Sequence, residues 1–383
     1  MKNVSIIGGG AAGLCAAIAA ANNGARVCIY EAGERVGSKI LATGNGRCNL
    51  TNMNLSPINY NNPDFVAPVI EQLGPRQIRA WFKQQGLLTA EEREGRVYPL
   101  SNTANSVLDV LRYTCERYNV KIESSIKVER LYQEEAGLSL LLNDGRIEKT
   151  DNVVVACGGG SQLLASCGHN IVPCEPILCA LATNTDAIRG LNGIKARGKI
   201  TLLDDGQPVF TENGEVLFRD YGVSGIVIFN ASRYARPGQT LVIDFMPDMG
   251  FSGLEALIAD RNAWAASYEE LMCGLFHPQI NRAILRMAHC KVSAKPDSDG
   301  IHRIANTIKE FSVEIKGVGD AKHAQVTRGG GACDEFEPST LESKLLSGLY
   351  ACGECLDIDG PCGGYNLHWA WASGLVAGTH AAQ

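Results

Sequence analysis

The sequence contains no apolar run approaching the roughly 20 residues that a membrane-spanning helix requires. Its hydrophobic residues, 45% of the chain, fall in short blocks. It has no basic excess either: 35 lysines and arginines stand against 41 acids, for a net charge of −6 and a pI near 5.7. With no Lys/Arg run to offset it, that balance argues against a nucleic-acid partner and against a membrane surface. A second Cys-x-x-Cys is missing, so Cys352-Gly-Glu-Cys355 has no companion at zinc-ligand spacing and no metal site is expected. The small-residue run Ala11 to Ala21 lacks a basic flank beyond Lys2 and sits behind three glycines, so it reads as a helix and not as a signal core. The 14 cysteines are scattered. They fit a reduced, cytoplasmic chain in which most thiols pack as small apolar groups.

What is present is organised around Val4 to Glu31, VSIIGGGAAGLCAAIAAANNGARVCIYE. This reads as a buried strand, a glycine turn, an alanine-rich helix and a second strand ending in an acid, the order a dinucleotide site needs. Gly8 permits the tight turn, Gly10 lets a pyrophosphate approach the backbone and Gly13 lets the helix sit close to the sheet. Phosphates then meet the amides of the helix start at Ala11 and Ala12. Glu31, followed by Ala32, places a carboxylate for ribose hydroxyls. The fingerprint alone leaves NAD and FAD open.

The next stretch, AGERVGSKILATGNGRCNLTN, is rich in glycine and carries Lys39 and Arg47. It reads as a functional loop suited to a phosphate or a flavin edge, too glycine-rich for a stable helix. Pro63 to Gln85 reads as one helix with Phe65, Val69, Leu73, Ile78 and Phe82 on a face. In EGRVYPLSN, Arg96 pairs with Glu94 or Glu92 or faces a ligand, and Ser101 or Asn102 can cap the helix that follows. Asn143-Asp144-Gly145 marks a hairpin. Asn152 to Gly160, NVVVACGGG, is a strand running into glycines, which allows close backbone approach to a ligand.

From about 184 to 325 the pattern changes. Strands are expected at Lys199 to Leu203, Gln207 to Phe210, Val216 to Phe218 and Thr240 to Phe245, separated by Asp-Gly, Asn-Gly and Pro-Gly turns. Leu254 to Met287 and Ile301 to Phe311 read as helical, and Ser312 to Ile315 as another strand. The tail returns to the first pattern, with a strand at Leu349 to Ala351 and Gly363-Gly364 opening an alanine-rich helix that ends near Gly378.

KILATGNGRCNLTN, GRVYP, NVVVACGGG and the CGECLDIDGPCGGYNL segment together resemble the BaiN-like and aminoacetone-oxidase-like bacterial FAD flavoproteins over nearly the whole chain. The resemblance implies FAD and a two-dinucleotide-fold architecture. A Rossmann-like α/β domain (1–183 and 326–383), a parallel sheet with ββα-type layering, is interrupted by an inserted cap (184–325). In that cap, β-barrel strands occupy about 190–248 and 312–325, and helices about 251–300. It implies flavin contacts for Thr43, Gly44, Gly46, Arg47, Cys48, Asn49 and Leu50, and an adenine contact for Val128. A second motif follows at Ala156, Cys157 and Gly158. Gly353, Glu354, Asp357 and Gly363, Gly364, Tyr365, Asn366 and Leu367 then line the ribityl chain and ring.

Two departures stand out. SQLLASCGHNIVPCEPILCAL lacks the family's Gly-Ser-Thr-Gly-Asp-Gly-like loop. LFRDYGVSGI carries Arg219, Asp220 and Ile226 where relatives have Thr, His and Pro. Arg96, Tyr98, Asp220 and Cys48 are the candidates for catalysis by position. The expected activity is NAD(P)H-dependent reduction of a small C=C or C=N acceptor through flavin N5; the alternatives are oxidation of a small amine with release of peroxide, and a flavin-binding sensor without turnover. The purified chain is expected to be yellow, or to quench flavin fluorescence on titration with FAD. A colourless chain that leaves the fluorescence unchanged would remove the basis for all three readings.

Overall fold

The computed structural model describes residues 1–134, 137–159 and 162–383; Gly160, the last residue of the NVVVACGGG motif, lies outside them. The chain divides into two compact units, one of residues 1–175 and 326–383 and one of residues 176–325.

The first unit is built on β1 (Asn3–Ile7), α1 (Ala11–Asn22) and β2 (Arg26–Glu31). β1 is flanked by β2 and by the strand Asn152–Val155, both parallel to it. Lys121–Ser124 extends the sheet beyond β2, and Leu349–Ala351 extends it beyond Asn152–Val155, also in parallel. Strands covered on both faces must be apolar throughout, and Val153, Val154 and Val155 are fully buried. A three-stranded antiparallel sheet, Val128–Glu134, Gly137–Leu142 and Ile147–Thr150, supplies a second layer around the expected Asn143–Gly145 turn. A smaller sheet joins Thr51–Asn52, Arg96–Pro99 and Thr89–Glu91.

The closing helix, Tyr365–Ala381, lies on α1. The approach is backbone to backbone. A Cβ on Gly374 would stand 2.3 Å from the Ala12 carbonyl oxygen, and one on Gly378 would stand 2.1 Å from that of Ala16. No other residue fits at that separation.

The second unit is a closed antiparallel barrel. Its strands run Leu181–Thr183, Gly222–Ser224, Gln207–Arg219, Lys195–Asp204, Thr240–Asp244 and Phe311–Val318 around the circle. Because Leu181–Thr183 pairs with two other barrel strands, these residues belong to the second unit, and its boundary falls at 176 instead of 184. Gln207–Arg219 is one strand, not two joined by an Asn-Gly turn. Gly214 sits opposite Gly198 within the ladder. Its missing side chain makes room for Val227, whose Cβ lies 2.6 Å from where a Gly214 Cβ would be. The glycine therefore serves helix packing and not chain reversal.

Two expected elements divide, and one expected loop contains a helix. Leu254 to Met287 is three helices, Phe251–Arg261, Tyr268–Met272 and Pro278–Met287; the second starts afresh because Ser267 caps it, accepting from the Glu270 amide. Pro63 to Gln85 is two helices, Pro63–Gln72 and Pro75–Gln84, since Pro75 disfavours helical backbone at Gly74 and opens a new first turn. In the glycine-rich loop, Ser38–Ala42 does form one short helix, started by Gly37 in the left-handed region at φ 74°.

Gly378→Val is expected to cost about 1–3 kcal/mol or more through overpacking and to weaken FAD binding with it. Gly253→Ala, at an exposed position of the helix Phe251–Arg261 where the new methyl would meet only Met249 at 3.5 Å, should raise Tm slightly. Thermal melts with and without FAD test both; an unchanged Tm in Gly378→Val would rule out the backbone contact as a structural determinant.

Candidate active site

Both helices that touch in this way begin at glycines. Gly8 has φ 102°, and a Cβ there would stand 2.6 Å from the Ala156 carbonyl oxygen. The first fingerprint glycine thus sits directly on the second glycine motif. A Cβ on Gly13 would stand 1.9 Å from the Gly8 carbonyl oxygen, whereas one on Gly10 would meet nothing within 4 Å. Gly10 is accordingly the point where the backbone stands open to a ligand. The first bond of α1 runs from the Leu14 amide to the Gly10 carbonyl, so the amides of the preceding turn are directed out of the helix start.

Glu31 closes β2, and its two oxygens each accept one backbone amide, Gly9 and Gly33, at 2.7 Å. Each oxygen retains lone pairs for a diol. The Ile126 amide bonds to the Glu31 carbonyl at 2.9 Å, which places Val128 and its strand at the same end of the sheet. Ala32 is exposed in the turn that follows Glu31.

The second and third segments arrive through Lys39, Gly158 and Glu354. Lys39 Nζ is 3.3 Å from Glu354 Oε2, and a Cβ on Gly158 would lie 3.7 Å from each of those atoms. The other Glu354 oxygen accepts the Thr327 amide at 2.6 Å. Cys157 is exposed. Even so, the surrounding protein pushes its thiol upward, with Glu31 adding to that and Lys39 opposing it. A side chain open to solvent yet walled in by protein lines a concave surface.

The closing helix is fastened to the rest of the cradle by its own side chains. Trp369 Nε1 donates to the Gly353 carbonyl at 3.1 Å, and the Gly353 amide donates to Ser373 Oγ at 2.9 Å. Trp371 Nε1 donates to the Leu50 carbonyl at 3.0 Å, and Tyr60 Oη to the Tyr365 carbonyl at 2.8 Å. His368 Nδ1 lies 2.7 Å from Thr51 Oγ1. Asn366 folds back on the loop before the helix, accepting the Gly360 amide and donating to its carbonyl, both at 2.8 Å. Asp357 holds the Gly329 amide and Asn61. The first bond inside the helix is from the His368 amide to the Gly364 carbonyl. At that helix start, Asn49 Oδ1 is buried with no hydrogen-bond partner among the described residues, 2.9 Å from where a Gly364 Cβ would project.

The donor set fits FAD on these grounds. An open backbone at Gly10 beside free helix-start amides suits a pyrophosphate, Glu31 suits a ribose, and the orphaned Asn49 acceptor suits the N–H of a flavin pyrimidine edge.

The catalytic candidates separate. Cys48 is fully buried at φ 57°, and burial pushes its thiol up to about 12; it cannot supply the thiolate that nucleophilic or redox work needs. Arg47 is engaged by neighbouring side chains. Its guanidinium stacks 3.9 Å above the Tyr98 ring and bonds Asn102 Oδ1 and Glu92 Oε1. Asn102 is thereby occupied, and the helix Ala104–Arg117 takes Thr103 as its N-cap. Arg96 pairs with Glu94 at 2.5 Å and shares the Thr51–Asn52 ladder opposite Asn52. Its Nε is 3.8 Å from the Cβ position of Gly363, and Asn52 Nδ2 donates to the Gly363 carbonyl at 3.0 Å. Arg96 and Tyr98 are thus brought beside the cradle. Asp220 is exposed in the turn between two barrel strands of the second unit. Cys352 and Cys355 are buried with thiols pushed up, and no cluster of three or more potential metal ligands occurs among the described residues. No helix among the described residues is long and apolar enough to cross a membrane. Thr51, His368, Trp369, Trp371 and Ser373 are working residues to which the sequence reading gave no place in the site; Thr51 lies inside KILATGNGRCNLTN, and the other four follow directly on CGECLDIDGPCGGYNL.

Burial lowers His368 to about 4, the Leu73 carbonyl opposing the shift. The unfolded chain protonates this ring near 6.5, so between these values the unfolded state binds more protons. The stabilisation is complete above about pH 6.5 and is lost as pH falls toward 4, by up to about 3 kcal/mol. Urea titrations from pH 7 to 4 should show this slope in the wild type and a shallower one in His368→Gln; equal slopes would show that His368 does not carry it.

Comparison with known proteins agrees with the geometry. Residues 2–380 match the family described as the HI0933-like protein Rossmann domain. The chain is 35% identical over 412 residues to 3-dehydro-bile acid delta(4,6)-reductase of Clostridium scindens, covering 100% of both. It is 28% identical to the ribosomal RNA dihydrouridine synthase of Escherichia coli K12, covering 96% of this chain and 95% of that one. Among solved structures, 3-ketosteroid delta1-dehydrogenase of Sterolibacterium denitrificans is similar in fold, with a TM-score of 0.50 at 13% identity and 100% of each chain covered. With the fingerprint, the two further glycine segments and the family match in register, the chain is an FAD-dependent oxidoreductase and belongs to the HI0933-like Rossmann-domain family.

Proposed function

We propose that the enzyme reduces a carbon–carbon double bond conjugated to a carbonyl in a small organic acceptor, with a reduced nicotinamide as the electron source. The observation that carries the site assignment is the meeting of three distant backbone segments at Gly8 and Ala156, Gly353 and Ala12, and Gly364 and Thr51, around an unpartnered Asn49 oxygen. The acceptor class is supported by the names of the two relatives, a delta(4,6)-reductase and a dihydrouridine synthase, since each describes loss of a C=C bond. Net charge −6 favours the small molecule over RNA.

Bound in this cradle, FAD supplies a two-electron carrier that delivers hydride from ring position N5. The chain does the rest. Amides at Ala11 and Ala12, with Gly8, Gly10 and Gly13 giving access, hold the pyrophosphate, and Lys39 adds positive charge beside it. Glu31 and Ala32 receive the ribose, and Val128 the adenine. Thr43, Gly44, Gly46, Cys48, Asn49 and Leu50 form one wall, and Ala156, Cys157 and Gly158 a second. Gly353, Glu354, Asp357 and Gly363 to Leu367 close the third, where the helix start places partial positive charge against the electron-rich edge of the reduced ring. Arg96, beside Gly363, orients the acceptor carbonyl.

Stopped-flow absorbance separates the possibilities. Rapid bleaching by NADH or NADPH, followed by recovery of the yellow form with a conjugated enone, is the expected result. Bleaching only by a small amine, with peroxide formed on re-oxidation, would establish the oxidase; no bleaching at a useful rate would leave a sensor. Unmodified ribosomal RNA in place of the enone tests the second acceptor. The cradle itself is read by alkylation: FAD should protect Cys157 while Cys174 and Cys273, exposed elsewhere, stay reactive. Equal labelling of Cys157 with and without FAD would remove the second wall from the site.

A further inference from the structure

We propose that Tyr98 is the proton donor of this reduction and that Arg47 is its positioning residue, an inference that rests on the reductase reading above. Tyr98 is buried, with its ring held on one face and along one edge. One face lies under the Arg47 guanidinium at 3.9 Å, and a ring edge carbon stands 3.6 Å from the Cβ position of Gly44, in the flavin-side loop. The hydroxyl, by contrast, makes no hydrogen bond to another described residue and is not among the buried unpartnered atoms, so it keeps a path to solvent. A phenol whose ring is held on one face and whose oxygen stays open to solvent is free to act on something brought to it.

Direction follows from the strand. Arg96 and Tyr98 are two residues apart in Arg96–Pro99 and so point to one face. Arg96 on that face reaches the Gly363 turn. The face that carries the Tyr98 hydroxyl is therefore the face against which the third segment of the cradle opens. Arg47 is itself immobilised from the far side by Glu92 and Asn102. A cation fixed at both ends and stacked on a ring restrains that ring's tilt, and a planar guanidinium does so better than an ammonium.

The chemistry balances. The acceptor carbon remote from the carbonyl receives the hydride and its electron pair, forming one C–H bond. The C=C π pair shifts to the adjacent carbon and takes the Tyr98 Oη proton, forming the second. The O–H pair stays on the tyrosine oxygen as phenolate, and water returns the proton. The acceptor gains two electrons and the cofactor loses two.

The test compares two fates of one pre-reduced enzyme, recovery of the yellow form by a conjugated enone and by oxygen, the second of which requires no proton at carbon. Tyr98→Phe should slow the enone reaction by about 10²-fold or more with the oxygen reaction as the internal reference, and with the FAD dissociation constant unchanged. Arg47→Met should slow it by about tenfold through kcat and not KM, and Arg47→Lys should restore part of the loss. Independently of turnover, the ¹⁹F resonance of 3-fluorotyrosine at position 98 in the flavin-free chain should move in Arg47→Met. Equal loss of the enone and oxygen reactions, or an enone rate unchanged in Tyr98→Phe, overturns the assignment and leaves the reductase reading standing. Failure of the wild-type enzyme to reduce any conjugated acceptor overturns both.

Discussion

Two helices in direct backbone contact set the geometry on which everything else in the first unit depends. Gly374 and Gly378 let the closing helix rest on the carbonyls of Ala12 and Ala16, and that separation brings the start of α1 and the start of Tyr365–Ala381 to one cradle. Helix starts carry partial positive charge and outward amides, so their convergence defines a place for an extended, electron-rich and anionic ligand. No charged side chain needs to be invoked to create it.

That contact is then locked by polar groups that reach both a turn 16 to 20 residues back and a loop 317 to 321 residues away. Trp369 and Ser373 clasp the turn at Gly353, while Trp371 and His368 clasp the loop from Leu50 to Thr51. Each bond is buried, where an unmet partner would cost more than the bond contributes in water. The closing helix consequently holds the first and third segments in a single register, and Lys39 with Glu354 adds a more exposed tie of smaller worth.

The reactive groups follow from which residues this scaffold leaves uncommitted. Cys48, Cys352 and Cys355 are consumed by packing, with thiols pushed far above neutrality. Arg47 is consumed by its stack on Tyr98 and its bonds to Glu92 and Asn102. What remains open is the Asn49 oxygen, the Tyr98 hydroxyl and the Gly10 backbone. A cradle built mainly of backbone, with Glu31, Lys39 and Glu354 among its few charged side chains, suits a cofactor that brings its own redox chemistry.

Much of this was legible in the order of residues. Glycines at 8, 10 and 13 between a buried strand and an alanine-rich helix, and the acid at Glu31, specify local geometry, because glycine conformation and strand burial are set within a few residues. The change from an α/β pattern to barrel strands with helices, and back again, was also readable; that Lys121–Ser124 joins the parallel sheet was not. Side-chain direction was not. That Arg47 stacks on Tyr98, whether Gly214 turned the chain or admitted Val227, and whether Thr51 met His368 all depend on partners outside the local sequence. Only the packed structure decided them, because a contact between distant segments is fixed by which surfaces the fold brings together and leaves no local mark on either segment.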